Sequence, residues 1–317
     1  SCQNSGSLTR AFTSAGSANP KWTFASWCKK GEPTTGVKSL YAFQAAAGGW
    51  WQCSWQNDIN TDGGGIRMAF SSTDWDTDPD SGSDGPGMAF RDYAAWYHIC
   101  HVIDYTTSPY VFFYVNGGLQ DPSIIYGLQT GPGYETNWSP ASGDTFYIVN
   151  DDGGAACPTG YIADTYWIEQ QALNPVGTFG EVNEDTGQFV PIEYTGTYTG
   201  NSFYLNYSNS ADFGADSSGL SNDFTVGSLT ADQQSLDTPT NNFAVSSPLV
   251  SQAAVDYDLS NGNLKNTVTT GGRPFYSTFI APPLDQKWYF EYAMVGGGAG
   301  QGPTIVLKRY EVAGGGD

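Results

Sequence analysis

Aspartates recur at every second position from Asp74 to Asp80, with Asp84 four residues on, in Asp74-Trp-Asp76-Thr-Asp78-Pro-Asp80-Ser-Gly-Ser-Asp84. That density of carboxylate oxygens suits a hard cation such as Ca2+. The match to a helix–loop–helix calcium loop is incomplete: Pro79 stands where that loop needs glycine, and Gly85 where it needs a bidentate glutamate. Asp74, Asp76, Asp78 and Asp80 are the candidate metal ligands, and an acidic solvated loop is the competing reading. Asp151-Asp152-Gly153-Gly154 is a weaker second candidate. No motif in the chain requires a cofactor.

A different chemistry sits in Trp50-Trp-Gln-Cys-Ser-Trp-Gln56. On a strand, Trp51, Cys53 and Trp55 share one face, while Trp50, Gln52, Ser54 and Gln56 share the other. The first set reads as core. The second joins an indole to neutral amides and a hydroxyl, the combination that stacks on a sugar ring and hydrogen-bonds its hydroxyls. Tyr134 and Trp138, in the Gly/Pro-rich stretch 131–140, extend such a platform or simply cap a sandwich. An ordinary solvent face with one stray indole is the plainer alternative.

Hydrolytic machinery is not evident. Jelly-roll glycanases carry Glu-x-Asp-x-x-Glu on one strand, and no glutamate here is followed two residues later by aspartate. Glu181, Glu184 and Asp185 read as turn residues. His98 and His101 are the only histidines, and a spacing of three on a strand sends them to opposite faces. They cannot chelate one metal together, and neither has an evident nucleophile partner. Buried, hydrogen-bonded or interface histidine is the better reading. The glycines at 63–65 join strands and lack the lysine of a phosphate loop.

Five cysteines, at 2, 28, 53, 100 and 157, form neither a zinc pattern nor an even disulfide framework. Cys28, Cys53 and Cys100 lie in apolar runs and read as small buried hydrophobes, which suits folding in a reducing cytoplasm followed by release on lysis. With 12 Lys and Arg against 32 Asp and Glu, the formal charge of -20 repels a phosphate backbone, so nucleic acid is not an expected partner. No apolar run approaches the ~20 residues that span a bilayer. The chain opens at Ser1 without Met, so it is expected to be processed or to be numbered from within a longer product.

The elements that must position these residues are strands. Forty glycines, 17 prolines and an aromatic content of 15% leave few windows with a helical period, so the chain is expected to be all-β. Strand-like runs cover residues 22–29, 37–44, 50–56, 65–71, 93–104, 110–116, 145–150 and 161–169, separated by Gly, Pro, Asp and Ser turns. The clearest is Trp96 to Gly118: two β-branched and aromatic runs around Ser108-Pro109, closed by Asn116-Gly117, predict an antiparallel hairpin. Both faces of it are apolar, Tyr97, Ile99 and Ile103 on one side and Trp96, Cys100 and Val102 on the other. A strand packed within a sandwich and partly covered outside looks like this. Three divisions are expected: a two-sheet jelly roll over 1–178, a structured connector over 179–249 with no core of its own, and an incomplete β-sandwich over 250–317.

The Trp96–Gly118 pattern resembles the late hairpin of laminin G-like, concanavalin A-like jelly rolls. Lys21-Trp-Thr-Phe-Ala-Ser-Trp-Cys-Lys29 is similar to the opening strand of that domain in a group of bacteriophage virion proteins. Three further stretches resemble the connecting region of those proteins: Gly180 to Tyr194, Asp216-Ser-Ser-Gly-Leu-Ser-Asn-Asp-Phe224 and Asp237-Thr-Pro-Thr-Asn-Asn-Phe243. From Val255 onward, with Lys287-Trp-Tyr-Phe-Glu-Tyr-Ala-Met-Val295, the chain looks like the start of a SPRY-type sandwich, although about 70 residues remain where a sandwich needs roughly 100. The resemblance implies a non-enzymatic structural component of a virion, a tail or head fibre subunit that meets host surface glycan or another virion protein. Fibre subunits are commonly trimers, and strands shared between chains would complete the short sandwich. It also raises the expectation of a rim calcium. A secreted glycan-binding module or degenerate glycanase, and a capsid decoration protein, are the alternatives.

Overall fold

Along the strand Lys21–Lys30, Trp22, Phe24 and Cys28 face one way and Ala25, Trp27 and Lys29 the other, and all six are buried. Burial on both faces requires a layer on each side, and the chain supplies both. The computed structural model describes residues 6–16, 20–31, 36–44, 50–57, 66–70, 73–76, 90, 92–120, 139–150, 160–246, 257–260, 263–268, 277, 291 and 293.

The strands, in chain order, are β1 (Ser7–Ala11), β2 (Lys21–Lys30), β3 (Gly36–Gln44), β4 (Trp50–Asn57), β5 (Ile66–Phe70), β6 (Thr73–Asp76), β7 (Trp96–Asp104), β8 (Val111–Val115) and β9 (Gly118–Leu119). There follow β10 (Thr145–Ile148), β11 (Gly160–Glu169), β12 (Gly180–Val182), β13 (Phe189–Pro191), β14 (Phe203–Leu205), β15 (Thr225–Gly227), β16 (Tyr257–Ser260) and β17 (Lys265–Val268). They form a seven-stranded antiparallel sheet, β15-β1-β10-β3-β4-β5-β6, and a six-stranded one, β14-β11-β2-β7-β8-β9. The protein is an all-β, two-sheet sandwich. Among the described residues the only helical element is a single 3-10 turn, Ala231–Gln233.

The main core lies between these sheets. Tyr41, Phe43, Cys53, Trp55 and Phe146 from the larger sheet meet Trp22, Phe24, Ile99, Phe113 and Trp167 from the smaller. Trp167 lies 4.4 Å from Trp22 and 5.1 Å from Phe43, centroid to centroid, the latter edge-on. Offset and edge contacts of this kind each contribute about 0.5–1.5 kcal/mol beyond area burial.

A β-bulge decides that Trp167 is inside. Ala163 pairs with Trp27 and Tyr166 with Ala25, so β11 spends one extra residue there, and Asp164 adopts φ 45°. Before the bulge Tyr161 and Ala163 face outward; after it Tyr166 and Ile168 do. Strict alternation would have turned Trp167 outward, because a one-residue slip exchanges faces.

The expected hairpin is present. β7 and β8 pair from Ile103↔Val111 to Ile99↔Val115, and β8 turns into β9 through Asn116 (φ 48°) and Gly117 (φ 75°), the left-handed pair a tight turn needs.

The described residues of the expected connector, 179–246, do more than connect. β14 pairs with β11 and β15 with β1, so each large sheet takes an edge strand from this region. Phe203, Leu205, Phe213 and Phe224 enter the main core. The sandwich therefore does not end at 178. Other residues of the same region cover the outer face of the six-stranded sheet. Phe179 and Tyr194 pack with Ala25, Cys100, Val102, Tyr166 and Ile168, and Phe189 packs with Trp27. Gly117 and Gly180 make room for the Phe189 ring; a Cβ on either would come within 2.7 Å or 2.4 Å of it.

Within the expected second sandwich the described residues include the hairpin β16–β17, held to Ser246 by Ser246 N–H donating to Asn263 O at 2.9 Å, and Ser277, which forms an antiparallel bridge with Ser246. The chain divides into two compact units, Ser1–Thr278 and Phe279–Asp317. In the second, Glu291 and Ala293 alone are described.

Candidate functional site

The residues expected to carry chemistry are distributed as follows. Asp74 and Asp76 lie on β6, opposite Ala69 and Arg67, and so belong to an edge strand rather than the expected loop. Asp78 and Asp80 lie outside the described residues, as do Tyr134 and Trp138. No group of three or more metal-ligating side chains occurs among the described residues. Trp50 opens β4 opposite Gln44, and Gln56 is its penultimate residue, opposite Val37. Gln52 departs from the expectation of an open sugar-binding face: it is buried, and its amide donates to Ser39 Oγ on the neighbouring strand. Ser54 beside it is buried as well. An amide engaged within the sheet is already spent, so Gln52 holds β3 to β4.

His98 and His101 do fall on opposite faces. His98 lies outside the sheet among Trp27, Phe179 and Phe189, and His101 lies between the sheets against Phe113 with Tyr41 OH on its Nδ1. Burial holds both imidazoles neutral, with pKa values lowered to about 3. Cys28, Cys53 and Cys100 are free and buried; burial pushes the Cys28 thiol up to about 12 and the other two upward also. Thiols and imidazoles so placed supply neither nucleophile nor base near neutral pH.

The charged residue that sequence reasoning missed is Lys29. Its ammonium, without solvent exposure, donates to Asp237 Oδ2 at 2.7 Å, Asn242 Oδ1 at 2.7 Å and Phe243 O at 3.2 Å. All three donors are used. Asp237 Oδ1 accepts Trp96 Nε1–H at 2.9 Å, and Asn242 Nδ2 donates to Ala94 O at 2.7 Å. Burial lowers the Lys29 pKa and the Asp237 carboxylate raises it. The available signal was a lysine inside an aromatic strand, which needs a distant acid.

These acceptors all come from Asp237-Thr-Pro-Thr-Asn-Asn-Phe243. The other two stretches singled out in the sequence are fasteners too. Asp216 accepts backbone N–H groups of Tyr204, Ser218 and Asn222, while Asn222 Oδ1 accepts from Arg10 at 2.5 Å and Phe224 enters the core. In the β12–β13 hairpin, Asn183 Oδ1 caps the N–H groups of Asp185 and Thr186, so Glu184 and Asp185 are exposed on the turn as expected, whereas Glu181 is exposed on β12 opposite Val190.

A cavity of about 320 Å³ lies beside the Lys29–Asp237 pair. Leu8, Leu40 and Trp55 from the larger sheet, Tyr161 and Ile162 from β11, and Phe213 from the region after β14 supply its walls. Its exposed lining residues, Asn206, Ser208 and Gln234, mark the mouth. Gln234 Nε2 donates to Tyr207 O at 2.9 Å and Ser208 O at 3.0 Å, which holds the 3-10 turn beside that opening.

No family model and no curated protein matches the chain. Among solved structures it is similar to a native heptameric SAP-like pentraxin from Limulus polyphemus, at 13% identity and a TM-score of 0.32, over 61% of this chain and 94% of that one. The two-sheet architecture stands on the strand pairings themselves.

Proposed function

We propose that the chain is a non-enzymatic structural component of a bacteriophage virion, a fibre subunit that works as a homotrimer and engages host surface glycan or another virion protein. The virion assignment rests on the resemblance of the opening strand and the three connector stretches. The observation that supports a structural role is the use made of those stretches. Asp237, Asn242, Asp216 and Asn222 are committed to fastening the chain to itself, and the buried histidines and thiols stand neutral. The SPRY-type reading of residues 255–317 belongs to the same proposal, with a neighbouring subunit completing that sandwich.

Cryo-electron microscopy of the intact particle, with the chain traced in density, tests the assignment: density for three copies in a fibre supports it, and absence from the particle overturns it. A head location would make the protein a capsid decoration. Glycan arrays with the full chain and with Trp50→Ala test the surface contact; binding lost on that change supports glycan engagement through β4. Turnover of a glycan polymer by the purified chain would overturn the non-enzymatic reading. Binding to a glycan by a chain absent from any particle would favour a secreted glycan-binding module.

A further inference from the structure

We propose that the cavity beside the Lys29–Asp237 pair is a binding site for an uncharged, two-ring aromatic molecule. This stands independently of the virion assignment.

Size comes first. At about 320 Å³ the space lies at the lower end of ordinary ligand pockets, roughly 300–1,000 Å³. It is about twice the ~150 Å³ apolar cavity that holds one benzene ring.

Wall chemistry comes second. Trp55, Tyr161, Tyr207 and Phe213 offer ring faces and edges, with Leu40 and Leu229 between them. The one polar atom of each tyrosine is already engaged, Tyr207 OH with Thr165 Oγ1 at 2.7 Å and Tyr161 OH with Ser235. Against these rings and the leucines, water would find few free polar partners.

Charge comes third. Lys29 and Asp237 are the charged side chains among the described lining residues, and each is saturated by the other and by Trp96, Asn242 and Phe243. An ionic ligand would lose its hydration and find no free counter-charge. A neutral ligand carries no such cost. At the mouth Gln234 spends its amide N–H groups on Tyr207 O and Ser208 O, which leaves its carbonyl oxygen to accept from one polar group at the ligand's outer end. The turn beside the mouth is pre-set by Thr230 and Gln233, whose capping contacts hold it, so little ordering is spent on binding.

The test uses the full chain and 6-propionyl-2-dimethylaminonaphthalene, an uncharged naphthalene dye whose emission shifts to the blue in apolar surroundings, with naphthalene-2-sulfonate as the charged counterpart. The expected result is saturable binding of one dye per chain, with the sulfonate at least about tenfold weaker. Leu229→Trp, which fills the space from a half-buried position, should weaken dye binding at least about tenfold at an unchanged melting temperature. Gln234→Trp, at the exposed mouth, gives the same reading if the first variant does not fold. No saturable binding, equal binding of the sulfonate, or undiminished binding in a folded variant overturns the proposal.

Discussion

Lys29 and Asp237 meet at 2.7 Å across 208 positions of sequence, and neither side chain reaches solvent. The pair ties the region after β15 to the outer face of β2, beside Trp96.

Because the pair is buried, removing one partner strands a charge. Asp237→Ala should cost about 3–5 kcal/mol in urea-induced unfolding, whereas Lys29→Met with Asp237→Leu should recover most of that loss. A single variant within about 0.5 kcal/mol of the parent would show that the site relaxes and admits water.

Acid should unfold the protein through its histidines. Burial lowers both pKa values to about 3, and the unfolded chain titrates near 6.5. Below about pH 6.5 the unfolded state takes up protons that the folded state refuses, so stability is full above that pH and falls as pH drops toward 3. Two such groups give a limiting slope of about 2.7 kcal/mol per pH unit. His98→Phe, at home among Trp27, Phe179 and Phe189, should roughly halve the slope between about pH 6 and 5, above most carboxylate titration. Urea melts at stepped pH measure it, and an unchanged slope contradicts the assignment.

Gly117 combines φ 75° with Phe189 packed against it. Gly117→Val adds a β-branched side chain where neither the backbone nor the ring has space, and should destabilise by about 2 kcal/mol or more. Displacing Phe189 would uncover Trp27, so a red shift of tryptophan emission before the main transition is the signature to look for.

Thiol reagents report the core directly. Cys28, Cys53 and Cys100 should resist Ellman's reagent at pH 8 in the folded chain and react once it is unfolded in guanidinium, because burial disfavours their thiolates. Reaction of these three at the rate of free cysteine would place them at the surface.

A fragment ending at residue 178 should fail to give a cooperative unfolding transition, while one ending at 246 should give one. The shorter piece lacks β14, β15 and the core side chains Phe203, Leu205, Phe213 and Phe224, and it leaves Lys29 without its acceptors. Denaturant melts of the two fragments decide the point.

Period-two alternation and turn chemistry are local properties, and the chain carried them openly. The β7–β8 hairpin, its Asn116-Gly117 turn, the opposed histidines and the buried cysteines could all be read along a few residues. The aromatic run at 202–207 marks β14 as a strand, but its pairing with β11, like that of β15 with β1, depends on residues far along the chain and could not be read locally. Gln52 looked like a solvent-facing amide because alternation assigns a face without saying what covers it. The bulge at Asp164 turns Trp167 inward for the sake of partners on two sheets. Lys29 becomes an anchor only because folding brings Asp237, Asn242 and Phe243 to its tip. The sequence by itself determined an all-β chain with aromatic cores; tertiary structure decided which residues close it, since desolvation of a charge is settled by neighbours far along the chain.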